Sequence, residues 1–384
     1  MADPSLFDEL ATTLKAEGAE AAIERLCLGL RKSRDYPALF YAMLLKKRFE
    51  LGVSPLPTGP AQDLPEDVHE AYEEAIRQAA RLVGGLFLEQ GEIPHAWVYF
   101  RMIGEPEPVA RALEDVQPAE GDDVQPLVEL AYHQGLHPRK GFDLVLDRMG
   151  VCSAITMVTG MEFPHGTDIR EHCVRRLVRA VHQDLCERIR SDIARREGAA
   201  PGGHAVAELL AGRDWLFENE SYHVDVSHLG AVVQMSVYLP PGPELALARE
   251  LCVYGQRLSP RLQYAGAPPF QDQYGGYGLY LAALAGDHQE EAIDHFLGKA
   301  EAAESEQAGT APAEVLVNLL LGLDRAVEAL TAARRFLAKA DSRLLSCPGI
   351  TELCRRTGDY QTLAEVAREQ DDPVHFLAGL IAAK

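Results

Sequence analysis

Apolar residues return every three or four positions along most of this chain, and no stretch reads as a sustained run of strands. That periodicity admits helices packed on helices and little else. Over residues 6–30 the positions Leu10, Leu14, Ile23, Leu26 and Leu30 keep helical spacing, with Gly18 as a break. Tyr36 to Leu51 repeats the pattern and stops at Gly52. The connector Val53-Ser-Pro-Leu-Pro-Thr-Gly-Pro follows, where fixed φ angles and missing amide donors forbid a helix. A helix pair is expected over about 65–100. The longest predicted helix runs from Asp168 to Arg196, because Ile169, Val174, Leu177, Val178, Val181, Leu185, Ile189 and Ile193 make one apolar stripe. Asp168 and Glu171 stand at capping-box spacing there, and Gly198-Ala-Ala-Pro-Gly-Gly ends it. Another helix is expected from Ser227 as N-cap, through Leu229, Val232, Val233 and Val237, to Pro240-Pro241. The Pro-, Gly- and aromatic-rich segment 265–277 reads as a loop. The expected fold is all-α: helix-turn-helix flanks over 1–130 and 271–384 around a less regular helical centre over 131–270.

Within the first flank, Gly84, Phe87, Gly91, Ala96, Phe100 and Pro108 fall at small, aromatic, turn, small, aromatic and stop positions. This spacing resembles a tetratricopeptide repeat, a helix-turn-helix unit whose small residues let two helices approach closely. Similar patterns recur in Gly286-Asp287 followed by Ala292 and Phe296, in Gly322 before Ala326 and Leu330, and in Gly358-Asp359-Tyr360 before Leu363 and Ala367. The resemblance implies an α-solenoid-like stack with a concave surface for a protein or peptide partner.

The 37 Lys and Arg against 58 Asp and Glu leave a net charge of −21, which repels nucleic-acid phosphates and anionic membrane surfaces. No nucleic acid and no membrane is expected as a partner. The seven cysteines, at 27, 152, 173, 186, 252, 347 and 354, form no C-x-x-C pair, which fits a reducing, cytoplasmic setting. The segment Met1 to Leu10 carries acid where a signal peptide needs a basic and then apolar region, and no apolar run approaches the roughly 18 residues of a membrane span.

Eight of the thirteen histidines lie between His133 and His228. His223-x-Asp225-x-x-His228 is the sharpest cluster. With 222–226 extended, His223 and Asp225 share a side and His228 falls in the first turn of the next helix, so three ligands could converge on zinc, iron or manganese. The competing reading makes Asp225 and Ser227 the helix cap and His228 an ordinary first-turn residue. His165 is presented in a loop ahead of a helix start, and His133 or His165 could complete a coordination sphere. His133 and His137 would share a helix face with Glu129, although Gly135 and Pro138 argue for a turn between them. His172 reads as solvated and His182 as packed at the edge of the stripe. Cys152, at a possible helix start, could be a nucleophile with His223 or His165 as base and Asp225 or Asp168 as orienter, or a buried thiol at a glycine turn. Gly275-Gly276-x-Gly278 has no preceding strand and is no phosphate loop. Trp97, Tyr99 and Phe100 read as core.

Three functions fit these residues. One is a metal-dependent enzyme on a small polar substrate, with His223, Asp225 and His228 as ligands, a metal-bound water as nucleophile and Tyr222 orienting substrate. The second is a non-catalytic helical-repeat adaptor binding a protein or peptide. The third is a cysteine-nucleophile enzyme using Cys152.

Overall fold

A computed structural model describes residues 4–56, 64–159, 163–199, 201–203 and 205–383, and among these all regular structure is helical, with no strand. The all-α expectation holds. No described helix is long and apolar enough to cross a membrane. The chain divides into two compact units, 1–148 and 149–384. The changes in sequence character near 130 and 270 fall inside these units. Residues 57–60 of the proline-rich connector lie outside the described residues.

The first unit contains α1 (Pro4–Glu17), α2 (Ala19–Lys32), α3 (Tyr36–Glu50), α4 (Glu66–Glu89), α5 (Ile93–Met102), α6 (Glu107–Asp115) and α7 (Gln125–Val128), which runs into a π-helical turn over Glu129–His133. From α1 to α6 each helix packs on the next. Gly18 and Gly91 take φ of 94° and 76°, a region open to glycine at little cost, so the chain reverses where the sequence placed its breaks. Apolar faces of α2 and α3 close on Ala79, Ala80, Val83 and Leu86 of α4 and on Tyr99 of α5. Ile93, Ala96 and Phe100 then carry the core on to Val109 and Leu113 of α6. Trp97 is only half-buried and donates its Nε1–H to Gln134 Oε1 at 2.8 Å. Helix α8 (Pro138–Val158) begins here, with Pro138 in its first turn, where a missing amide donor costs nothing. Since Gly135 turns at φ 76° between the π-helical turn and α8, His133 and His137 share no helix face.

The second unit starts inside α8, one residue ahead of Gly150, whose φ of 83° and ψ of 176° interrupt the helix. It continues with α9 (Thr167–Glu197), α10 (Val206–Leu210), α11 (Val226–Met235) and α12 (Pro243–Arg257). There follow α13 (Gln273–Leu284), α14 (Gln289–Glu306), α15 (Ala311–Gly322), α16 (Ala326–Phe336), α17 (Ile350–Thr357), α18 (Tyr360–Glu369) and α19 (Pro373–Ala382). Helix α9 is the spine: its stripe from Val174 to Ile193 is buried, and α10, α11 and α12 pack along it. From α12 to α19 each helix packs on its successor. Close approaches use small residues, since a Cβ at Gly255 would enter the Tyr274 ring at 2.2 Å and one at Gly322 would sit 2.6 Å from Leu284 Cδ2.

Two helix starts differ from expectation. Helix α9 begins at Thr167 with Gly166 in the N-cap position, so Asp168 lies inside the first turn and is not the cap. Helix α11 begins at Val226 under Asp225, because the aspartate carboxylate reaches the amides of both Ser227 and His228, while the Ser227 hydroxyl turns to that same carboxylate.

Candidate functional site

Among the described residues, three polar knots lie along the α9–α12 interface. Toward its start, the buried Glu244 carboxylate accepts from Arg179 and from Arg175 Nη1 at 3.2 Å, and Arg175 also reaches Glu171 at 2.7 Å. Burial works to raise the Glu244 pKa, but its own backbone amide and the two guanidiniums outweigh that and hold the carboxyl below its ordinary value. In the middle, His182 Nε2 meets Glu250 Oε2 at 2.7 Å, and the same oxygen accepts the Val206 amide at 3.0 Å, tying α10 to the pair. Near the far end, His223 sits between Asp192 of α9 and Tyr254 of α12. The pairings climb both helices in the same direction, so α9 and α12 run parallel.

The middle knot includes a cysteine. Cys186, one turn after His182, lies 3.8 Å from its Nδ1 and 3.9 Å from its Nε2. Cysteine, histidine and glutamate in contact suggest a nucleophile, base and orienter. The geometry does not serve that chemistry. The sulfur is equidistant from the two ring nitrogens instead of aligned with one lone pair, and burial pushes the thiol up to about 11, so it stays protonated at neutral pH.

The third knot is fully satisfied. The Tyr254 oxygen accepts the His223 backbone N–H at 2.7 Å and lies 3.0 Å from His223 Nδ1. The Asp192 carboxylate, which can only accept, faces Nε2 at 3.3 Å and so draws the ring proton there, leaving Nδ1 to accept the Tyr254 O–H. Asp192 is in turn paired with Arg195. Burial outweighs Asp192 and lowers the His223 pKa, and burial also raises the phenol of Tyr254. Beside this knot Asp192, Arg195, Arg196 and Trp215 line a shallow cleft of about 310 Å³, with the Arg196 guanidinium 4.4 Å from the Trp215 ring centroid.

The residues expected to share a cation are therefore engaged separately. His223 is buried in its knot, Asp225 caps α11, His228 is half-buried in the first turn of α11, and Tyr222 is 55% exposed. His165 meets the Phe163 ring edge-on at 5.7 Å, and His133 belongs to the first unit, edge-on to Tyr132 at 5.5 Å. Among the described residues no three His, Cys, Asp or Glu side chains gather where they could hold a metal. His223, Asp225 and His228 are thus not brought together, and the reason is local: an aspartate immediately ahead of a helix is drawn to the free amides. Cys152 falls in the first turn after the Gly150 break and is exposed, and among the described residues no histidine is bonded to it. His172 is half-buried, not solvated, and His182 is buried. Glu244, Glu250, Asp192 and Tyr254 escaped the sequence reading. The one available signal was polar residues, Arg175, Arg179 and His182, set beside an apolar stripe.

No family model matches the chain, and neither a curated protein nor a solved structure matches it.

Proposed function

We propose that this chain is a non-catalytic helical-stack adaptor, tetratricopeptide-like in its helix pairs, whose α19 receives an amphipathic helix of a protein partner. One observation carries the reading. In α19 only Gly379 is buried, set so tightly on α18 that a Cβ there would lie 2.9 Å from the Tyr360 carbonyl oxygen, while Val374, Leu377, Leu380 and Ile381 are 73%, 57%, 45% and 64% exposed. Positions 374, 377 and 381 repeat at i, i+3 and i+7, the register in which an apolar strip meets another helix.

Charge selects the occupant. The strip itself bears no ionic side chain, and Glu369, Asp371 and Asp372 stand at its N-terminal end. A helix with an apolar stripe and flanking Lys or Arg fits both features, and the −21 net charge draws it in. The test is fluorescence anisotropy with a designed peptide carrying Leu at i, i+3 and i+7 and Lys on its flanks. Saturable binding is expected, weakened about tenfold or more by Leu377→Asp or Ile381→Asp, as for loss of an apolar anchor. A peptide with Glu flanks should bind less well. Binding indifferent to both substitutions, or a dimer in light scattering that Leu377→Asp dissolves, would overturn the reading, the second by making another copy of the chain the occupant.

A further inference from the structure

Residues 214–225 leave regular α-helix between α10 and α11, and two of them, Asn219 and Glu220, hold φ of 56° and 60°, which side-chain-bearing residues seldom adopt. The segment is pinned across the C-terminal parts of α9 and α12. Leu216, His223 and Val224 are its buried anchors. Outside them it is held by polar contacts at the surface: Trp215 under Arg196, Phe217 with Arg257 5.4 Å from its ring centroid, Glu218 with Arg196 at 3.6 Å, Glu220 with Arg261 at 3.3 Å, and Asp214 with Arg257. Exposed ion pairs of this kind add little stability each, so the buried anchors decide whether the segment stays down.

We propose that residues 214–225 form an acid-released strap, clamped to α9 and α12 while the His223 imidazole is neutral and freed when it takes up a proton. The groups that face His223 are Asp192 from α9, Tyr254 from α12 and the Phe217 ring of the strap. Protonation at Nδ1 replaces an acceptor by a donor. Tyr254 must then turn its own hydrogen away, toward aromatic surroundings that include Phe217, 5.4 Å from its ring. A buried imidazolium is also disfavoured by the loss of water around it. Asp192 pulls the other way, but it is more than a third exposed and already paired with Arg195, so its attraction is screened and shared. Burial wins, in keeping with the depressed pKa of His223.

The sign follows from linkage. A histidine whose pKa is lowered in the clamped state binds protons better once released, so the clamp is intact above the ordinary imidazole value of about 6.5 and loosens as pH falls below it. Until the clamped form itself titrates, the ratio of open to clamped strap rises by up to about tenfold per pH unit. Trp215 reports this directly, since Trp97 is the other of the two tryptophans and Trp97→Phe leaves Trp215 as sole fluorophore. In that background, acrylamide quenching of Trp215 should be flat from pH 8 to about 6.5 and rise below it, with far-UV circular dichroism unchanged. His223→Gln should remove the pH dependence, whether it leaves the strap down or up. Tyr254→Phe, which deletes the donor that opposes protonation in the clamped state, should raise the clamped-state pKa toward the ordinary imidazole value and so shrink the rise in quenching below pH 6.5. Quenching that ignores pH, that persists in titrating without His223, that rises below pH 6.5 as steeply in Tyr254→Phe as in wild type, or that rises only as helical signal is lost would overturn the proposal.

Discussion

Gly84 of α4 and Phe100 of α5 occupy each other's space: a Cβ built on Gly84 would stand 2.7 Å from Phe100 Cε2. The ring fills the gap that the missing side chain leaves, and this contact sets how closely the two helices pack. Ala has the better helix propensity by about 1 kcal/mol, but here the added methyl meets a ring that is 4% exposed and has little room to move. Gly84→Ala should therefore destabilise the protein by about 1–2 kcal/mol in urea unfolding, the usual range for an overpacked core. Phe100→Leu should relieve most of that loss, so the double mutant will be more stable than the sum of the single effects. Additive effects would show that the two residues do not share the space.

Glu244 is the most buried carboxylate in the α9–α12 seam. With its pKa below the ordinary 4.5, its contribution is fully present above that value and is lost as pH falls through the folded-state value. Glu244→Gln should cost about 1–3 kcal/mol at pH 7, toward the lower end because Arg175 and Arg179 keep 34% and 55% exposure. The same substitution should flatten the acid limb of the stability curve. An unchanged loss of stability between pH 5 and 3 in Glu244→Gln would assign that limb to other carboxylates.

The helices were legible because the signals that make them are local. The stripe from Val174 to Ile193 and the glycines at 18, 91 and 198 mark faces and ends within one or two turns, and α9 spans Thr167–Glu197 where 168–196 was expected. The seam was not legible. His182 meets Glu250 68 residues away and His223 meets Tyr254 31 residues away, and both pairs depend on α9 and α12 running parallel, which no periodicity announces. The His223–His228 motif misled for a related reason. Its residues are neighbours in sequence, but the helix start takes Asp225 and the seam takes His223, so nearness along the chain brought no shared centre.

The cysteines should separate cleanly by reactivity. Burial pushes Cys186 up to about 11, which leaves on the order of one thiol in a thousand or fewer ionised at pH 7.5, whereas Cys152 is exposed. Iodoacetamide followed by peptide mass spectrometry should find Cys152 alkylated in the native protein and Cys186 alkylated only after unfolding. Native labelling of Cys186 at a rate similar to Cys152 would mean that the His182–Glu250 knot activates it.

Asp225 offers the sharpest choice between capping and metal ligation. As an N-cap its oxygen accepts the amides of Ser227 at 2.8 Å and His228 at 3.3 Å, and an asparagine oxygen can accept both as well. Asp225→Asn should therefore cost a few tenths of a kcal/mol and Asp225→Ala about 1 kcal/mol, measured by urea unfolding at pH 7. The hydrogen bond from the Ser227 hydroxyl, with the two amides, holds the Asp225 carboxyl below its ordinary 3.8, so the difference between wild type and Asp225→Asn should vanish as pH falls through the folded-state value. Zinc supplies the opposing arm. A cation bound to the folded state raises the melting temperature by mass action, and a ligand carboxylate replaced by an amide loses most of that rise. If saturating zinc stabilises wild type and Asp225→Asn removes the effect as fully as Asp225→Ala, the carboxylate ligates a metal and the adaptor reading gives way; equal behaviour of wild type and Asp225→Asn with and without zinc leaves Asp225 as the cap of α11.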